Sequence, residues 1–135
     1  MPAATPGASG RSILIIEDNA DAREALRILL ELDGHVVEAV GEGTEGLRIA
    51  QAKDPDIALV DIGLPGLDGF EIARRLRASG SRRPVLVALT GYGQPEDRRR
   101  ATEAGFDSLL VKPVDPSVLS DLLATLEIPA RGFRG

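Results

Sequence analysis

Apolar and polar positions alternate along this chain in blocks. Short runs dense in Ile, Leu and Val are separated by longer stretches in which apolar residues recur every three or four positions. The runs predict strands over Ser12–Glu17, His35–Ala39, Ile57–Asp61, Pro84–Thr90 and Ser108–Val111. The periodic stretches predict helices over Ala20–Leu32, Gly43–Lys53, Phe70–Ala78, Glu96–Ala104 and Pro116–Leu126. In the first helix Ala22, Ala25, Leu26, Leu29 and Leu30 share a face. In the last helix Val118, Leu119, Leu122, Leu123 and Leu126 do. Asn19 and Asp115 stand where N-caps belong, Pro116 occupies the favoured first helical position, and Gly34, Gly80 and Gly105 follow helix ends.

Strict alternation of strand and helix, with apolar strands, implies a parallel sheet covered on both faces. Five such units predict an α/β fold of flavodoxin-like type, a doubly wound five-stranded parallel sheet of order 2-1-3-4-5 with five helices. Residues 12–127 would form this one domain. The Pro/Gly-rich residues 1–11 and residues 128–135 read as flexible linkers or tails.

Composition narrows the possibilities. A hydrophobic fraction of 43% supports a full core, and with only 3% aromatics that core must be aliphatic. The formal net charge of −5 argues against direct nucleic-acid binding. The absence of cysteine and a single histidine, His35, exclude disulfides, thiolate metal sites and multi-histidine sites. No run approaches the roughly 20 apolar residues of a membrane span, and the N-terminus lacks the pattern of a signal peptide. A cytoplasmic protein without membrane attachment is expected. His35 reads as a structural or exposed residue, and Arg98, Arg99 and Arg100 as a solvated helix face.

In a sheet of this order ligands bind at the carboxyl ends of the strands, at the switch point between strands 1 and 3. Glu17 and Asp18 end the first strand, Asp61 the third and Thr90 the fourth, while Lys112 follows the fifth. Like charges about 4 Å apart repel by about 4 kcal/mol at an effective dielectric near 20, so three converging carboxylates call for a proton or a cation. An all-oxygen donor set suits Mg²⁺, Mn²⁺ or Ca²⁺ over Zn²⁺, and Mg²⁺ best fits a site that awaits a phosphoryl group. Phosphoryl transfer needs such neutralisation, supplied here by a metal, the Lys112 ammonium and the Thr90 hydroxyl. Asp61, alone at its strand end, is the candidate nucleophile, with Glu17 and Asp18 as metal holders.

The acidic pair Glu17-Asp18, the segment "DIGLPGLDGFE", the segment "ALTGYG" and the pair Lys112-Pro113 stand in the order and spacing of one family. From Ser12 to Leu126 the chain resembles the receiver domain of bacterial two-component response regulators. The resemblance implies that Asp61 accepts phosphate from a phosphohistidine on a histidine kinase or histidine phosphotransfer protein. It implies that Asp18, Asp61 and the Gly63 carbonyl ligate Mg²⁺, or Mn²⁺ in its place, with Glu17 acting through water. It further implies that Thr90 and Lys112 contact the phosphoryl group, that the Lys112–Pro113 peptide is cis, and that a partner reads the face of helix 4, strand 5 and helix 5. Such a module is not a stand-alone classical enzyme, although self-phosphorylation from a phosphodonor and autodephosphorylation belong to it. The stretch from Ala88 to Asp115 also resembles receivers at the C-terminus of hybrid histidine kinases. A kinase fragment and a single-domain regulator therefore both stand open.

Two positions depart from the family. Leu109 stands where a Tyr or Phe is common, and Tyr92 is the nearest aromatic in sequence to Thr90. Gly63 offers no side chain at a position that often tunes dephosphorylation. Two other classes of function remain to be weighed: a binding scaffold that phosphate does not control, and a cofactor binder or hydrolase on the same topology. The acids count against the latter, as does the absence of the motifs G-x-x-x-x-G-K-[ST] and G-x-S-x-G.

Overall fold

The computed structural model describes residues 10–130. In chain order it contains β1 (Ser12–Ile16), α1 (Ala20–Leu32), β2 (Val36–Val40), α2 (Gly43–Lys53), β3 (Ile57–Asp61), α3 (Gly69–Arg77), β4 (Val85–Thr90), α4 (Pro95–Ala104), β5 (Ser108–Val111) and α5 (Pro116–Thr125). The five strands are parallel in the order β2-β1-β3-β4-β5. The α/β fold and strand order expected from the alternation are those found.

Side chains on a strand point alternately to its two faces, and here both faces are apolar. Leu14, Ile16, Ala58, Val60, Leu86 and Ala88 meet Leu47 and Ala50 of α2, Phe70, Ile72 and Leu76 of α3, and Ala101 and Ala104 of α4. Ile13, Ile15, Ile57, Leu59, Val87 and Leu89 face the other way, onto Leu26 and Leu30 of α1 and Leu119 and Leu123 of α5. The central strands β3 and β4 are buried along their whole length. Each fully buried Leu or Ile contributes about 2 kcal/mol relative to an exposed one, so this double layer holds the strand ends in register.

The helix ends follow their local chemistry. Asn19 caps α1 by accepting the Ala22 N–H at 2.8 Å, and Asp115 caps α5 by accepting the Ser117 N–H at 2.8 Å. Asp68 accepts the Glu71 N–H at 2.9 Å, so α3 begins at Gly69, one residue before the expected Phe70. Pro95 starts α4 at its first position, again one residue earlier than expected.

Other differences concern faces and edges. β2 starts at Val36 because the His35 N–H turns back to the Leu30 carbonyl. Val118 is 49% exposed, not inward; Leu119 and Leu123 fill the space under α5, with Leu122 and Leu126 packed beside them. On α1, Ala25 is exposed and Ala22 and Leu29 are half-buried. With Pro113, Val114 and Pro116 they line an apolar groove of about 590 Å³ beside Lys112.

The expected tails fall largely outside the described residues, at 1–9 and 131–135. Of the rest, Ile128 packs against the core and the Pro129 carbonyl accepts from Arg83 Nη1 at 2.7 Å, so the packed structure reaches beyond residue 127. Among the described residues, no helix is long and apolar enough to cross a membrane.

Candidate functional site

Strand register brings the site together. Ile16 of β1 pairs with Val60 of β3, so the next residues, Glu17 and Asp61, leave the sheet side by side. Asp61 pairs with Leu89 of β4, and the Ile62 N–H reaches the Leu89 carbonyl at 3.0 Å. Thr90 pairs with Val111 of β5, and the Lys112 N–H closes that ladder on the Thr90 carbonyl at 2.7 Å. Glu17, Asp61, Thr90 and Lys112 are thus the last or next residues of adjacent strands, at the edge where helix crossovers leave an open crevice.

Glu17, Asp18 and Asp61 each offer a carboxylate oxygen within 4.8 Å of the others. Glu17 and Asp61 are buried, whereas Asp18 is exposed. Lys112 Nζ lies 2.6 Å from Glu17 Oε1 and 2.8 Å from Asp61 Oδ2, and so bridges the two buried acids. The other Asp61 oxygen, Oδ1, accepts the Gly63 N–H at 2.8 Å. The other Glu17 oxygen, Oε2, accepts the Asn19 N–H at 3.0 Å.

These contacts push the acids apart in acidity. Burial raises the Glu17 carboxyl above its ordinary value, against the lowering effect of Lys112 and the Asn19 N–H. Burial acts on Asp61 in the same sense, but the Lys112 hydrogen bond, the Gly63 N–H and the Lys112 charge together hold Asp61 below the usual carboxylate range. Burial lowers Lys112, yet its hydrogen bonds to Asp61 and Glu17 outweigh this and raise it. Asp61 is accordingly a charged carboxylate at neutral pH, as a nucleophile requires.

The remaining candidates lie around this centre. Thr90 is buried, and its Oγ1 accepts the Tyr92 N–H at 3.3 Å. Tyr92 itself is 81% exposed, so its ring is turned to solvent. Leu109 is half-buried against the core layer of α4. A Cβ on Gly63 would come 3.4 Å from Asp61 Oδ1, so residue 63 lies against the carboxylate. The Lys112–Pro113 peptide is cis. The Arg83–Pro84 peptide is cis as well, which sequence reasoning did not anticipate.

A cluster of three acids and one ammonium, without His or Cys, fits a hard divalent cation and, with it, a phosphoryl group. The sequence pattern that defines the response regulator receiver domain matches residues 13–124. The chain belongs to the response regulator receiver family. It is 37% identical to an uncharacterized 14.6 kDa protein in the sodA1 3' region of Leptolyngbya boryana, over 82% of this chain and 86% of that protein. It is also 37% identical to the response regulator MprA of Mycobacterium ulcerans, over 84% of this chain. The match covers 47% of MprA, so this receiver spans about half the length of that relative. Among solved structures, the receiver domain of sensor histidine kinase PA1611 from Pseudomonas aeruginosa, with a magnesium ion coordinated in its active site cleft, superposes with a TM-score of 0.77. It shares 33% identity, covering 85% of this chain and 95% of that one. Receivers bind Mg²⁺ at an acidic pocket, and this receiver has the acidic cluster for it.

Two contacts of the site's surroundings escaped the sequence reading. One is that of Arg23, which donates from Nη1 to the Glu17 carbonyl at 2.8 Å. The other is the second ion pair of Lys112, to Glu17. The Lys112–Glu17 pair leaves no local signal, because only the strand order brings those residues together; Arg23 lies six positions from Glu17, and its contact depends on the turn from β1 into α1.

Proposed function

We propose that this receiver accepts a phosphoryl group from a phosphohistidine onto Asp61, with Mg²⁺ bound, and that the modified state changes its partner-binding surface. The observation that carries this reading is the Asp61 carboxylate, charged, at a strand end, and held by Lys112 at 2.8 Å beside Glu17 and Asp18. An Asp61 oxygen attacks phosphorus, the P–N bond breaks, and the imidazole leaves with its electron pair and takes up a proton from solvent. Asp18, Asp61 and the Gly63 carbonyl would hold the metal, and Glu17 would act through water. Mg²⁺, or Mn²⁺ in its place, would offset negative charge on the phosphoryl oxygens. Lys112 and the Thr90 hydroxyl would take the remaining phosphoryl oxygens, which draws the Thr90 side chain toward residue 61, where the Lys112 ammonium already stands.

That movement would bias the packing of α4, β5 and α5, where Val111 and Val118 present 40% and 49% of their surface to solvent. A histidine kinase or histidine phosphotransfer protein would be the donor, and a protein partner would read this face. The setting would be cytoplasmic, within either a single-domain regulator or a hybrid kinase. Water would return Asp61 to its free state in an autodephosphorylation. Incubation with phosphoramidate or acetyl phosphate and Mg²⁺, read by intact mass, tests the reading: one phosphate on the wild type and none on Asp61→Asn is expected. Absence of the adduct from the wild type, or its persistence in the variant, overturns it.

Leu109 motivates a second reading, in which partner binding ignores phosphate because no aromatic ring follows Thr90 inward. On that reading neither Asp61→Asn nor beryllofluoride changes partner affinity, whereas the principal reading expects both to do so.

A further inference from the structure

The Glu17 N–H bonds to the Val40 carbonyl at 3.0 Å, the last rung between β1 and β2. In a parallel ladder the next rung would bring the Glu42 N–H to the Glu17 carbonyl. The chain instead leaves the sheet at Gly41 and starts α2 at Gly43. The Glu17 carbonyl receives a side chain in place of that rung, Arg23 Nη1 at 2.8 Å. Arg23 sits in the first turn of α1, its own N–H on the Asn19 carbonyl at 2.9 Å. A Cβ on residue 41 would lie 2.8 Å from Arg23 Nη1 and 3.8 Å from the Glu17 oxygen. The guanidinium therefore occupies the notch that Gly41 leaves by having no side chain.

The Glu17 carbonyl belongs to the peptide that joins Glu17 to Asp18. Its orientation sets the backbone from which both acids project. Glu17 is fixed besides by Lys112 and the Asn19 N–H, but Asp18 is exposed, so it depends on this peptide for its aim. We infer that Arg23 is a positioning residue for the acidic pair: by holding the Glu17–Asp18 peptide it orients Asp18 toward Asp61, and Gly41 is required to admit it. This rests on the reading that these acids hold Mg²⁺. It concerns the metal-binding step alone.

The guanidinium also brings a positive charge near the acids, which by itself opposes cation binding. The test must therefore keep that charge. Gly41→Ala keeps Arg23 and displaces only the far end of a flexible side chain. Arg23→Lys keeps the charge and loses the planar fork. Mg²⁺ affinity is read by calorimetry on the unphosphorylated receiver, without any phosphodonor, and fold by circular dichroism. Partners that orient metal ligands change affinity by about 10- to 100-fold. Each single variant is expected to raise the Mg²⁺ Kd about tenfold with the fold intact. Gly41→Ala is expected to add less than about twofold in the Arg23→Lys background, because both act through one contact. A Kd within about twofold of wild type in Arg23→Lys, or independent additive losses in the double variant, overturns the inference. Failure of phosphoryl transfer with Mg²⁺ binding intact would overturn the proposed function and leave this assignment standing. A wild type that binds no Mg²⁺ would overturn both.

Discussion

Lys112 Nζ lies 2.8 Å from Asp61 Oδ2, a contact across 51 positions of sequence that joins the third strand to the fifth. The same ammonium touches Glu17 at 2.6 Å, and Glu17 has no exposed surface at all. One cation thus bridges two buried acids in the resting site and competes there with any metal.

Lys112→Met should consequently separate two effects. Removing the ammonium leaves Glu17 and Asp61 buried without their shared cation, a loss of about 2 kcal/mol in urea denaturation without divalent ions. The same change should lower the Mg²⁺ Kd, because a competing positive charge is gone. Unchanged stability together with weaker Mg²⁺ binding would contradict the bridging role.

Gly69→Ala should disturb the site through the backbone. An added Cβ would come 2.7 Å from Ile62 Cα and 2.8 Å from the Asp61 carbonyl oxygen, and main-chain atoms cannot step aside as a side chain can. A stability loss of about 2 kcal/mol is expected, with amide NMR shifts centred on residues 61–63. A variant as stable as the wild type, with unmoved resonances, would show that the β3–α3 loop yields freely.

How far this was legible in the sequence depends on the range of the interaction. Hydrophobic alternation carried α1, α2, β3 and β5 to their observed bounds, and fold topology then assigned Glu17, Asp18, Asp61, Thr90 and Lys112 to one edge. Inward faces were less readable. The apolar stripe of α5 includes Val118, but the sheet beneath has room for only part of it, and periodicity does not report the width of the surface it meets. Polar pairing between distant segments was invisible. Arg83 and His35 give no sign in the sequence of the polar partners they meet, and only the strand order shows what each one faces.

Arg83 is one of these, 7% exposed at the sheet edge opposite the site. It donates to Asp54 at 3.2 Å, to Asp56 at 3.0 Å and to the Pro129 carbonyl at 2.7 Å, while Asp56 in turn accepts the Ser12 N–H at 2.9 Å. This network ties the start of β1 to the chain beyond α5. Arg83→Ala should cost about 3 kcal/mol in chemical denaturation, and Arg83→Lys should recover less than half of it, since an ammonium cannot span the four acceptors, the Asp54 carbonyl included, that the guanidinium fork reaches. Full recovery by lysine would reduce the network to simple charge.

His35 should make stability fall in mild acid. Its ring is buried, and Nδ1 accepts the Arg11 N–H at 3.2 Å, a bond that the protonated ring cannot accept. Burial lowers its pKa, with Asp33 opposing and Arg11 reinforcing the shift. The unfolded chain takes up this proton near pH 6.5, before the folded protein does, so the stabilisation is present above about pH 6.5 and is lost as pH falls toward the lower folded value. Wild type should lose about 1 kcal/mol more than His35→Gln between about pH 7.5 and about pH 5.5. Glu17, whose raised pKa acts in the opposite sense, is common to both proteins and cancels in the difference. Parallel pH profiles for the two proteins would contradict the assignment.

The most direct test of the central claim locates the phosphate by residue. The receiver is phosphorylated by phosphoramidate with Mg²⁺, reduced with borohydride, digested and sequenced by tandem mass spectrometry. An acyl phosphate on an aspartate is then read as homoserine. Homoserine at position 61 alone, dependent on Mg²⁺ and lost in Lys112→Met, is the predicted result. Homoserine at Asp18 or elsewhere, or none at any position, would contradict it.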